Sequence, residues 1–181
     1  MQHNFIANQS TPALAGQTID VLDPSDGQVF EQIPRSQAAD IDAAVQAART
    51  AFNGPWGKLT AVERGRLLMK LSQKVSEHAA ELAALEQRDC GKPTKQAAAD
   101  SVALARYFEF YAGSCDKLHG ETLPYQNGYS VLTWREPHGV TGHVIPWNYP
   151  MQIFGRSVGG ALAAGNACVV KPAEDACLSL I

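Results

Sequence analysis

The chain has 181 residues, 45% of them hydrophobic and 18% charged, with 15 Lys and Arg against 18 Asp and Glu for a net charge of −3. That length and apolar content suffice for a buried core and exclude an intrinsically disordered chain. The small negative charge leaves no footprint for nucleic acid or an anionic membrane surface, and no run of apolar residues is long enough for a membrane-spanning helix.

The amino-terminal residues lack a basic stretch followed by an apolar one, so no secretory leader is expected. The first ~35 residues, rich in Asp, Pro, Gly and Gln, read as turns and small strands. Within them, Gln17 to Leu22 is β-prone and Asp23-Pro24-Ser25-Asp26-Gly27 is a turn between two extended runs. From Ser36 to Phe52, Ile41, Ala44, Val45, Ala48 and Phe52 fall at helical spacing, with Asp40 and Asp42 early, where they suit the helix dipole. Asn53-Gly54-Pro55 ends that helix. Thr60 and Glu63 form a capping box for the next, which carries Leu67, Leu68, Leu71 and Val75. A third helical stretch through Leu82 and Leu85 stops at Gly91 and Pro93. Thr94 is expected to cap a fourth, running through Val102, Ala105, Phe108 and Tyr111 to about Gly120.

Beyond Gly120 the pattern changes. Tyr129 to Arg135 is β-prone but polar, an extended arm rather than a core strand. Val140 to Ile145 is a short strand, and Pro150 suits the first turn of a helix that ends near Ala164. Gly155, Gly159 and Gly160 within that helix are expected to permit close packing against the sheet. Ala167 to Val170, apolar on both faces, reads as a strand buried in a parallel sheet and ends at Lys171-Pro172-Ala173-Glu174. Two parallel strands joined by a helix send both following loops to the same carboxyl edge, where open α/β sheets bind ligands. Asn148 and the Lys171/Glu174 pair therefore converge.

A side-chain amide at Asn148 can donate hydrogen bonds to a developing oxyanion without titrating. On spacing alone it is as readily an Asn that satisfies a turn. Lys171 and Glu174 suit ribose hydroxyls, yet K-P-x-E by itself favours a surface ion pair. No G-x-G-x-x-G or P-loop pattern is present, and His78, His119, His138 and His143 have no metal-ligand spacing. They are expected to be solvated or to stand behind a site. Cys90, Cys115, Cys168 and Cys177 contain no C-x-x-C pair, so reduced thiols in a cytoplasmic protein are expected. Cys168 lies in the expected buried strand and Cys177 in the turn after Glu174; neither reads as a nucleophile.

Gly139-Val140-Thr141-Gly142-His143-Val144-Ile145-Pro146-Trp147-Asn148-Tyr149-Pro150 resembles the G-V-x-G-x-I-x-P-W-N-[FY]-P signature of the NAD(P)-dependent aldehyde dehydrogenases. The likeness continues through Ala161 to Asn166 and Val169 to Glu174, and upstream through Trp56, Glu63-Arg64, Leu67-Leu68 and Gly91-Lys92-Pro93. It covers almost the whole chain in order. The resemblance implies an α/β fold, the amino-terminal part of that family's Rossmann-like parallel sheet with helices, plus an extended oligomerisation arm. It divides the chain into an amino-terminal helical part of a cofactor-binding domain (1–120), the arm (121–137) and the first β-α-β portion (138–181).

The resemblance further implies roles. Asn148 is similar to the family's oxyanion-hole amide. Ile145, Pro146 and Trp147, together with Asn148, match the segment alongside the nicotinamide. Lys171, Pro172, Ala173 and Glu174 match the one holding the adenosine ribose. The implied reaction is oxidation of a small-molecule aldehyde to a carboxylic acid through a cysteine thioester, with NAD, or alternatively NADP, as hydride acceptor. The implied assembly is a homodimer or homotetramer. Two departures stand out. Ser157, preceded by Arg156, occupies a position where the family often has lysine, so no role of that lysine carries over. The family's catalytic cysteine, general-base glutamate and phosphate-binding turn have no counterpart here, and an inactive fragment of such an enzyme is expected. A non-catalytic nucleotide-binding or assembly module is the alternative, and a semialdehyde or acyl-CoA-forming relative fits the same residues.

Overall fold

The computed structural model describes residues 1–181. Two antiparallel hairpins open the chain: β1 (Asn4–Ile6) with β2 (Gln9–Thr11), and β3 (Thr18–Leu22) with β4 (Val29–Pro34). Ala7 and Asn8, at φ 53° and 63°, make the first turn, as the strand twist of a two-residue hairpin requires. In the second, the Asp23 carboxylate accepts the Ser25 N–H at 3.0 Å and its hydroxyl at 2.6 Å, holding its own pKa below the usual carboxylate range.

Four helices follow: α1 (Ala38–Asn53), α2 (Ala61–Glu77), α3 (Ala79–Cys90) and α4 (Thr94–Ser114). Asp40 ties the start of α1 to the preceding loop by accepting the N–H groups of Gln37 and Leu14, each at 2.8 Å. The Thr60–Glu63 capping box is formed, and Gly91 (φ 66°) ends α3 in the left-handed region. Two expectations need correction. Thr94 is the first helical residue of α4 rather than its cap; Pro93, at φ −56° and ψ 136°, holds the cap position. The helix also stops at Ser114, where the backbone tightens into a 3₁₀ turn over Cys115–Lys117 instead of continuing to Gly120.

The arm contributes only a short pairing of β5 (Thr122–Leu123) with β6 (Val131–Leu132), and Tyr129 and Trp134 lie exposed on it. Then β7 (Val140–Ile145), α5 (Pro150–Ala163) and β8 (Ala167–Pro172) form a parallel β-α-β unit. Cys168, Val169 and Val170 are half-buried, not fully buried as expected, because β8 pairs with β7 alone and leaves a groove toward α1.

The main core joins Leu68 and Val75 of α2, Leu104, Ala105 and Phe108 of α4, and Met151 and Ala163 of α5. Here the α5 glycines differ from expectation: they face α4, not the sheet. A Cβ on Gly155 would meet Leu104 and Tyr107 at 2.9 and 3.1 Å, and one on Gly159 would meet Tyr111 at 2.6 Å. A smaller core packs Val21 and Ile33 against Cys177 and Leu178. The α5–β8 turn is locked from outside: Trp56 Nε1 donates to the carbonyls of Gly165 (3.2 Å) and Asn166 (3.0 Å). Asn166 accepts the Gly139 N–H at 3.1 Å, joining the turn to the start of β7. No helix is long and apolar enough to cross a membrane.

Candidate functional site at the carboxyl edge

In the β7–β8 pair, Val144 stands opposite Lys171 and Ile145 opposite Pro172, so both strands end at the same edge. Pro146, Trp147 and Asn148 are exposed beyond β7, Tyr149 is half-buried, and Pro150 opens α5. Ile145 is 1% exposed, main chain included, so it stands behind this edge and not on it. Beyond β8, Pro172 and Ala173 are half-buried while Lys171 and Glu174 are exposed. Lys171 Nζ donates to Glu174 Oε2 at 2.6 Å and holds that carboxyl below the usual glutamate range.

Asn148 differs from its neighbours. The Trp147 carbonyl accepts the Cys90 thiol at 3.5 Å, and the Tyr149 hydroxyl accepts the Gln96 amide at 2.6 Å. The Asn148 amide has no hydrogen-bond partner within the chain and faces solvent. It is therefore not occupied in satisfying its turn.

Behind this turn lies a buried charge cluster that the sequence reading passed over. Lys92 Nζ pairs with Glu86 Oε1 and, at 2.7 Å, with Asp100 Oδ2; the three side chains are 8%, 0% and 2% exposed. Burial works against the ammonium, but Asp100 and Glu86 outweigh it and hold Lys92 above its ordinary pKa. Burial pushes the Glu86 carboxyl up. Glu86 Oε2 also accepts the Met151 N–H at 3.2 Å and the Ser179 hydroxyl at 3.1 Å. Asp89 accepts the Leu178 N–H at 2.7 Å. A signal was present in the sequence: Glu86 and Asp89 continue the stripe begun by Leu82 at helical spacing, placing acids where apolar residues belong.

His143 is buried between β7 and α5, hydrogen-bonded through Nδ1 to Ser157 Oγ (2.6 Å) and through Nε2 to Thr141 Oγ1 (2.9 Å). Burial lowers its pKa from the ordinary 6.5. His78, His119 and His138 are exposed. All four thiols are free and shifted away from reactivity. Burial and the nearby acids push Cys90 and Cys177 up to about 12, and burial raises Cys115 and Cys168. No group of three or more His, Cys, Asp or Glu side chains is gathered to hold a metal.

This edge offers an uncommitted amide donor beside a lysine–glutamate pair, with no ionised nucleophile of its own. A model of the aldehyde dehydrogenase family matches residues 11–181. Aldehyde dehydrogenase family 2 member B4, mitochondrial, of Arabidopsis thaliana is 45% identical over 174 residues, covering 95% of this chain and 31% of that protein. A crystal structure assigned as an aldehyde dehydrogenase from Burkholderia cenocepacia superposes with a TM-score of 0.96 at 70% identity, over 98% of this chain and 38% of that one. An NAD⁺ complex of aldehyde dehydrogenase from Bacillus cereus gives a TM-score of 0.96 at 41% identity, over 99% of this chain and 37% of that one. The chain spans about a third of the length of the relatives it matches.

Proposed function

Because the chain belongs to the aldehyde dehydrogenase family, we propose that it serves as the amino-terminal part of an enzyme that oxidises an aldehyde to a carboxylic acid. The hydride acceptor in this reading is NAD or NADP, and the acyl group passes through a cysteine thioester. With all four thiols of this segment held protonated, the nucleophile and its base belong to another part of the enzyme.

The observation that carries the reading is the free, solvent-facing amide of Asn148 at the sheet's carboxyl edge. When the nucleophile adds to the aldehyde, negative charge develops on the carbonyl oxygen. An amide already aimed at that position stabilises it without proton transfer and without reorganising. The donor set on the other loop fits a nucleotide: an ionised Glu174 can accept ribose hydroxyls, and Lys171 can donate to a ribose oxygen. Pro146 and Trp147 would lie along the nicotinamide half with Ile145 buried behind them, and Pro172 and Ala173 beside the ribose. The cofactor, when bound, takes the hydride. The exposed aromatics of residues 121–137 fit a strand-exchanging contact between subunits of a homodimer or homotetramer. Four free cysteines are in keeping with a cytoplasmic setting.

The test is steady-state kinetics of the polypeptide carrying this segment. Asn148→Ala is expected to lower kcat by about 10²–10³-fold, as loss of one oxyanion donor does elsewhere, with little change in KM. NADH formation from an aldehyde that survives the substitution undiminished overturns the role of Asn148. No NADH formation in the unsubstituted polypeptide leaves a nucleotide-binding module.

A further inference from the structure

We propose that Lys92 is a positioning residue for Asn148, its buried ammonium fixing the Pro146–Pro150 turn from behind. The proposal rests on the oxyanion reading of Asn148 given above. An exposed turn whose central amide makes no hydrogen bond does not hold its own shape, because local freedom must be removed by contacts elsewhere. Before Asn148 the Cys90 thiol reaches the Trp147 carbonyl, and after it the contacts of Tyr149, Met151 and Gln152 gather around one cation.

Lys92 Nζ lies 4.5 Å from the centroid of the Tyr149 ring, within cation–π range. Gln96, one turn into α4, donates to the Tyr149 hydroxyl at 2.6 Å. Glu86 accepts the Met151 N–H, and Asp100 Oδ1 accepts the Gln152 side-chain amide at 2.6 Å. Tyr149, Met151 and Gln152 are thus each held by Lys92 itself or by a carboxylate that Lys92 neutralises. The placement of Lys92 is built by the turn between α3 and α4. Gly91 in the left-handed region and Pro93 at the helix cap direct it back to Glu86, six residues earlier, and on to Asp100, eight residues later.

Two carboxylates this deeply buried are costly to place in a fold without a counter-charge against them. An apolar cluster of similar volume would stabilise the fold as well or better, but apolar contacts are non-directional. The charged cluster instead fixes the Tyr149 ring at the end of the turn and the donor directions of Met151 and Gln152 in the first turn of α5. Direction is what an oxyanion donor needs, since a displacement of about 1 Å costs about 10²-fold in rate. Lys92 does not touch the reacting atoms; it acts through Asn148.

The experiment is a double-mutant cycle in the aldehyde-oxidising polypeptide that carries this segment. Lys92→Met is expected to lower kcat by about 10–100-fold, with KM for aldehyde and cofactor within about threefold of the parent. In the Asn148→Ala background the same substitution is expected to change kcat by less than about twofold, because the group it positions is already gone. Gln96→Leu, which cuts only the Tyr149 tether and leaves the buried charges paired, is expected to show a smaller loss with the same non-additivity. If Lys92→Met does not fold, Lys92→Arg, which keeps the charge but displaces it from the Tyr149 ring, replaces it in the cycle, with a loss of kcat expected that vanishes in the Asn148→Ala background. Unchanged kcat in a folded Lys92→Met protein, or an equal fractional loss in both backgrounds, overturns the positioning role. An Asn148→Ala enzyme with unchanged kcat overturns the oxyanion reading instead, so the two failures are told apart.

Discussion

Ile145 stands directly opposite Pro172 in the parallel pair β7–β8, and this register sets Asn148 and Glu174 on one edge although 26 residues separate them in the chain. The placement has a consequence for cofactor choice. A 2′-phosphate beside Glu174 would bring like charges together, and Lys171 offsets that only in part. A preference for NAD over NADP of at least about tenfold is expected, about 1.4 kcal/mol. Glu174→Gln should narrow the ratio of kcat/KM values mainly by improving NADP. A ratio unmoved by that substitution places Glu174 away from the ribose.

His143 makes the fold sensitive to mild acid. Its folded pKa lies below 6.5, so between that value and 6.5 the unfolded chain binds more protons than the folded one. Stability then rises with pH through this window and is lost as pH falls through the folded pKa. His143→Gln should show a smaller drop in urea midpoint between pH 7 and pH 5 than the parent chain. Equal drops would mean that the imidazole stays solvated.

The glycines of α5 are tested by a pair of alanine substitutions with opposite expected signs. Gly159→Ala gains about 1 kcal/mol of helix propensity but places Cβ 2.6 Å from the Tyr111 ring. Overpacking costs about 1–3 kcal/mol, so net destabilisation is expected. Gly113→Ala, in the last turn of α4 with nothing within 4 Å of its Cβ, should stabilise by about 0.5–1 kcal/mol. Thermal melts of the two variants moving the same way would refute the close α4–α5 contact.

Trp56→Phe keeps the ring but removes the N–H that serves both the Gly165 and Asn166 carbonyls. The loss should cost about 1–3 kcal/mol, the penalty for leaving part-buried acceptors unpaired. Chemical denaturation reads it directly, and a midpoint within error of the parent would show those carbonyls to be hydrated.

The thiols should be sluggish. With Cys90 and Cys177 at about 12 and the other two raised by burial, alkylation by iodoacetamide at pH 7.5 should be at least about tenfold slower than in urea. One cysteine labelled as fast in the native chain as in the unfolded one would contradict this.

Local chemistry was readable where neighbours in sequence decide the outcome. The capping box at Thr60, the left-handed stop at Gly91, the first-turn Pro150 and the β-α-β unit all follow from residues within a few positions of one another. So did the convergence of Asn148 with Lys171 and Glu174, because strand direction is dictated by the helical crossover. What escaped was decided at a distance. Whether Gly159 faces a sheet or Tyr111 depends on how α5 settles on α4, about 48 residues away, and no periodicity encodes that. The acids on α3 break the apolar stripe of their helix, but what they bind is not legible there, because their partners, Met151, Leu178 and Ser179, belong to other elements. Thr94 lost the cap to Pro93 because Pro is excluded only from the helix interior, not from its threshold.

Those same distances order events on the ribosome. Glu86 waits 65 residues for the Met151 N–H and 93 for the Ser179 hydroxyl, and Asp89 waits 89 for Leu178. Lys92 follows Glu86 within six residues, but at about 5–20 residues per second the other partners of these acids emerge only some 3–20 s later. During that interval α3 must stay hydrated along its acidic stripe, or dock loosely and open again. A synonymous codon change that slows translation between the codons for Lys92 and Ser179 would lengthen exposure of the Leu68–Phe108 surface to chaperones without altering a single atom of the finished protein.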